Sequence, residues 1–159
     1  MKKYHTITIL LSIFSLILIS GCATTTEATI EQRNHEFIVD YKDISKELIF
    51  ERTMTWIANN FRSAKQVIEY SDKEAGKIVG NGTTNLRAEG ALIDVTLHFT
   101  LNVDIKDEKV RYRFINLWHN IGNISANMPI YQEWHRPARL KFQSIINRLE
   151  YATINDDDF

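Results

Sequence analysis

Four histidines, several carboxylates and one glycine-rich stretch are the groups beyond residue 30 of this 159-residue chain that could do chemistry. His35, His98, His119 and His135 include no pair at helical i, i+4 spacing, and the chain has a single cysteine, Cys22, to support them. A dedicated metal centre needs three or four ligands that a local element can converge, so none is expected, and these histidines read as surface or loop residues. Ser71-Asp72 and Asp104, Asp107 and Glu108 place carboxylates at turns, where their side chains bond the local backbone. Asp94, His98 and Ser125 carry triad chemistry but no triad spacing, and no serine lies in a Gly-x-Ser-x-Gly elbow. Gly80-Asn81-Gly82 lacks the lysine and helix start of a phosphate loop. The chain is expected to be non-enzymatic, with no cofactor.

Cys22 has a different context. It ends the run Leu18-Ile19-Ser20-Gly21-Cys22, which closes an apolar stretch from Ile7 to Ile19 behind Lys2 and Lys3. That stretch is shorter than the ~20 residues needed to span a bilayer and suits the apolar region of a signal peptide. Small residues before a cysteine resemble a bacterial lipobox. The resemblance implies cleavage by signal peptidase II between Gly21 and Cys22, and acylation of Cys22. Residues 1–21 would be the signal peptide, and the partner of the mature N-terminus would be the membrane, through its acyl chains. Ala23 stands where an aspartate often signals inner-membrane retention, so the implied location is the outer membrane, facing the periplasm.

The mature chain would hold 138 residues with 17 basic and 20 acidic groups, a formal charge of −3. That balance fits neither nucleic acid nor polybasic docking to a membrane. With Cys22 acylated no disulfide is available, so core packing must hold the domain. Residues 22–34 are polar and read as a flexible tether. Residues 153–159, with three consecutive aspartates, read as a disordered tail. A single domain is expected over 35–152.

Periodicity supplies its elements. Phe37, Val39 and Tyr41 alternate with Glu36, Ile38 and Asp40 as in a strand. Ser45 suits a helix N-cap with Glu47 in the first turn, followed by Phe50, Met54, Ile57 and Phe61 at helical spacing. Strands are expected over 67–71 and from Lys77 through Gly80 and Gly82 to Thr84, around the turn 72–76. Ile93, Val95, Leu97, Phe99, Leu101, Val103 and Ile105 then alternate without a break with polar residues, so one face is buried and the other wet. After the turn 106–109, Val110, Tyr112, Phe114 and Trp118 continue the dry side. Pairing Ile105 with Val110 sets Leu101 beside Phe114 inside, and Asp104 with Arg111 and Asn102 with Arg113 outside. Residues 119–130 read as a loop. A last helix is expected from near Arg136 to about 152, with residues 131–134 a separate turn because Pro137 suits a helix start.

The fold class is therefore α+β, in the order β-α-β-β-β-β-α, with two helices on one face of a twisted antiparallel sheet. The other face stays open. On it the register places Ile115 near Thr100 and Leu117 near His98, with Ile38 possible beside them and Arg113 below. Ile38, His98, Arg113, Ile115 and Leu117 are thus the candidate interaction face, and its occupant an envelope protein. The alternative is a carrier that holds an apolar ligand between helices and sheet, in space left by Gly80 and Gly82.

Four stretches carry a family resemblance: Ser45-Lys46-Glu47-Leu48-Ile49, Trp56-Ile57-Ala58-Asn59-Asn60-Phe61, Asp72-Lys73-Glu74-Ala75-Gly76-Lys77-Ile78-Val79-Gly80 and Lys109-Val110-Arg111-Tyr112-Arg113-Phe114. Together they resemble a bacterial family of unknown function with a TATA-box-binding-protein-like fold, over roughly residues 35–120. The resemblance implies that fold and no chemistry, since a fold does not carry function with it.

Overall fold

A computed structural model describes residues 28–29, 33–61, 68–87, 94–121, 124–129 and 132–155. Gly21, Cys22, the whole signal segment and residues 156–159 lie outside the described residues. The elements are β1 (His35–Asp40), α1 (Lys46–Asn60), β2 (Ile68–Asp72), β3 (Lys77–Leu86), β4 (Val95–Lys106), β5 (Lys109–Ile121), β6 (Ile124–Pro129) and α2 (Gln132–Asn155). All strand pairs are antiparallel, in the order β1-β5-β4-β3-β2. β6 joins β5 beyond the end of β1, at Trp118, His119 and Ile121. Both helices pack on one face, as the alternation requires.

The β4–β5 hairpin has the expected register. Ile105 pairs with Val110, Val103 with Tyr112 and Leu101 with Phe114, while Asp104 meets Arg111 and Asn102 meets Arg113. Glu108 takes a left-handed φ of 54° to close the turn. Beyond Ile115 the register shifts. Asn116 adopts φ 54°, and both Asn116 and Leu117 stand between the Thr100–Ile115 and His98–Trp118 pairs. One extra residue in one strand is a β-bulge, and it reverses the in–out phase of all that follows. Leu117 is therefore buried and Trp118 turns to the open face, each opposite to its expected side.

Three further differences have local causes. The expected loop 119–130 instead holds the end of β5 and a sixth strand, β6, completing a second hairpin. α2 begins at Gln132, so Pro137 sits in its second turn; burial of Trp134 offsets the backbone hydrogen bond that a proline withholds. At its other end α2 runs to Asn155 with Thr153 buried, so the folded unit extends past residue 152. The tether reading also shortens. Ala28 is buried, its carbonyl accepts from Arg33 Nε at 2.9 Å, and Arg33 N–H donates to Thr29 at 3.0 Å.

Between sheet and helices lies an aromatic core. Phe114 stacks on Phe142 of α2 with centroids 4.0 Å apart, and Phe99 meets both edge-on at 5.2 Å. Phe61 at the end of α1 touches Phe99 at 5.6 Å. A Cβ on Gly82 would lie 2.5 Å from the Phe99 ring, so glycine here makes room for an aromatic side chain. The α1 start is capped as expected, with Leu48 N–H donating to Ser45 Oγ at 3.3 Å. Tyr41 and Tyr112 share a buried hydroxyl–hydroxyl bond of 2.8 Å beside Thr53 of α1 and Thr153 of α2. Burial pushes the Tyr41 hydroxyl up to about 12 and that of Tyr112 upward as well.

Candidate functional site

The open face of the sheet has two halves. Near the β4–β5 turn it is charged. One Asp104 carboxylate oxygen accepts from Arg111 at 2.9 Å and from Arg113 at 3.0 Å, and Lys109 pairs with Asp40 at 3.3 Å. Ile38, 59 % exposed, stands opposite Arg111 in this half. Such half-exposed pairs fix side-chain positions but add little stability.

Toward the far end amides and hydroxyls outnumber the charged groups, which are Glu69 and, past the last β3–β4 pair, Arg87 with Asp94. Thr100 Oγ1 donates to Asn81 Oδ1 at 2.9 Å, Asn116 Nδ2 approaches Thr100 at 3.4 Å, and Asn81 Nδ2 donates to Glu69 at 2.5 Å. Within this field His98 and Trp118 stack across the two strands, 3.6 Å between centroids and 4° from parallel. Burial against the indole lowers the His98 pKa, opposed by the neighbouring Asn120. An imidazole packed flat on an indole serves as a recognition or packing group.

Of the five residues proposed for this face, Ile38, His98, Arg113 and Ile115 belong to it. Leu117 does not, because the bulge turns it inward. Nor do the apolar members form one patch: Ile38 pairs with Arg111, and the Glu36–Arg113 pair separates it from Ile115. Trp118 was missed, and so was Tyr70, half-exposed opposite Val79 on β2. The one signal for Trp118 is Asn116, since asparagine tolerates left-handed backbone better than other non-glycine residues.

The histidines differ most from expectation. His35 and His119 are buried, not superficial. His35 opens β1 in the same inward phase as Phe37 and Val39, and the bulge brings His119 inward. His35 stacks on His135 at 5.0 Å and tilts against Phe142 at 5.3 Å, with neither ring nitrogen hydrogen-bonded. Burial, aided by His135 and Arg139, pushes its pKa down to about 4.

No arrangement for catalysis is assembled among the described residues. No three His, Cys, Asp or Glu side chains there could hold a metal ion. Asp94 is held by Arg87 through two bonds of 2.6 and 2.9 Å, and His98 faces Trp118; the Ser125 side chain is outside the described residues. The space beside Gly82, where the carrier alternative would put an apolar ligand, is taken by Phe99. No helix among the described residues is long and apolar enough to cross a membrane.

Comparison with known proteins agrees with this fold. No curated protein matches the chain. Among solved structures, a TBP-like protein from Parabacteroides distasonis superposes with a TM-score of 0.62 at 10 % identity, covering 77 % of this chain and 92 % of that one. A DUF4468 family protein from Bacteroides ovatus gives 0.61 at 11 % identity, covering 80 % and 90 %. At such identities the likeness is one of fold alone. Residues 36–120 match the family described as a domain of unknown function (DUF4468) with TBP-like fold, which spans β1 to the end of β5. From the β1–α1 unit, the β2–β3 turn and the long hairpin together, the chain belongs to the DUF4468 family of TBP-like domains.

Proposed function

We propose that this chain is an outer-membrane lipoprotein, acylated at Cys22, whose domain is a non-catalytic module that docks an envelope protein on the open face of its sheet. The observation that carries the reading is the one-sided layering of the fold. Both helices cover one face, while the other presents exposed Ile38 and Tyr70 near its two edges with the His98–Trp118 stack between. Anchoring apolar and aromatic groups set in a polar, hydrogen-bonded field are what a protein interface uses. A DNA partner is opposed by the net negative charge of the mature chain.

Photo-crosslinking in living cells tests the docking. A crosslinker at position 38 or 115 is expected to trap one defined envelope protein, and Ile38→Asp with Trp118→Ala to abolish the adduct without unfolding the domain. Absence of any adduct from either position overturns the reading. Anchoring is tested separately by Cys22→Ala, which is expected to move the product out of the lipoprotein-sorted membrane fraction.

A further inference from the structure

The solvent side of α2 sets exposed apolar side chains among cations and uncharged polar groups. Ala138, Phe142, Ile145 and Leu149 fill the core, and on the opposite face Leu140 (63 % exposed) and, three turns on, Tyr151 (61 %) and Ile154 (48 %) stand with Gln143, Ser144 and Asn147 between them. Arg136, Lys141 and Arg148 stand beside these side chains, and none of the three forms an ion pair among the described residues. Arg136, Leu140 and Lys141 also line a groove of about 500 Å³ between α2 and the end of β3. Arg87 on its far wall is paired with Asp94, which leaves Arg136 and Lys141 as the groove's cations without an ion-pair partner among the described residues. The only α2 carboxylate whose side chain is described, Glu150, lies partly buried and acts on Tyr41 and Tyr112.

We propose that this outer face of α2 rests on the anionic phospholipid surface of the membrane that holds the lipid anchor, with a lipid phosphate seated between Arg136 and Lys141. Two observations select that occupant. Exposed apolar side chains beside cations that have no ion-pair partner among the described residues are complementary to an interface of acyl chains beneath anionic headgroups. The second is length: Ala28 is buried, so only five residues, 23–27, separate it from Cys22, six Cα–Cα steps that reach roughly 20 Å at full extension. The proposal rests on acylation of Cys22. Net charge conceals it, because acids gather elsewhere, as at Asp43, Glu47, Asp107 and Glu108 near the β4–β5 turn. With α2 against the membrane, the opposite face of the sheet points away from it.

The test uses the full acylated chain carrying Leu140→Cys labelled with an environment-sensitive fluorophore, incorporated into phosphatidylglycerol-containing or pure phosphatidylcholine vesicles. The expected result is a blue shift on the anionic vesicles alone. It disappears in R136E/K141E and at high salt, while a probe at Glu69→Cys on β2 stays at its aqueous emission. A probe at position 140 that remains aqueous on anionic vesicles, or shifts equally on neutral ones, overturns the proposal. A shift without vesicles assigns the face to a second protein copy and overturns it too. Flotation separates the two readings: a chain that floats with an unshifted probe refutes this contact alone, whereas a chain that does not float refutes acylation and the contact with it.

Discussion

The two ends of the β4–β5 hairpin obey different rules. From the turn to Thr100 and Ile115 every residue keeps its side, with charge outside and Tyr112 and Phe114 inside. Past Asn116 the phase inverts, and on β4 and β5 the outer surface changes from ion pairs to amides, hydroxyls and a stacked His98–Trp118 pair. A period of two propagates order along a strand only while each residue has one partner across the ladder. One extra residue cancels that inference for everything downstream.

The largest effect expected from attacking the regular end is Phe114→Ala, which removes the ring stacked on Phe142 and should cost about 3–5 kcal/mol in denaturant unfolding. A loss below 1 kcal/mol would show that the core does not centre there. Next is pH. His35 sits against the same end, opposite Phe114, and its pKa falls from 6.5 to about 4 on folding. The unfolded chain then binds the proton more tightly, so stability is complete above pH 6.5 and is lost as pH falls toward 4, by up to about 3 kcal/mol. His35→Gln should flatten that part of a pH-dependent melting curve, whereas His98→Gln at the other end should change it less.

A smaller effect is expected at the irregular end. Asn116→Ala should cost about 1 kcal/mol through the left-handed backbone it occupies, and Asn116→Gly should be neutral or stabilising. If alanine and glycine behave alike, the bulge is not held by that torsion. Smallest of all is Asp104→Asn, which weakens both arginine contacts on a half-exposed surface; under 1 kcal/mol is expected, and less at high salt. A larger loss would make the charged half a structural network.

The same contrast explains what could be read in advance. Thirteen alternating residues from Ile93 to Ile105, followed by a two-residue turn, define a hairpin register with no competing solution, and Ser45 with Glu47 marks where α1 starts. The bulge could not be read so, since Asn116 tolerates a left-handed φ without demanding it. The period of two puts Leu117 outside and Trp118 inside, but that period ends at Asn116. β6 was hidden because Ile124–Pro129 is too short and irregular to show alternation, and it gains its place from the edge of β5. Likewise Pro137 signals a helix start only when nothing earlier is buried, and Trp134 is. The burial of His35 follows from strand phase, which the residue type argued against.

The hydroxyl bond between Tyr41 and Tyr112 has a consequence for how this molecule comes apart. Those two oxygens lie where β1, β5, α1 and α2 meet, sealed from water beside Thr53 and Thr153, while Arg52 on α1 donates to the Thr153 carbonyl at 2.6 Å. Lifting either helix alone would break the Arg52–Thr153 bond between them and wet the apolar core that both cover. Helices and ribbons should therefore melt in one step, and amide exchange in α1 and α2 should report a single opening free energy.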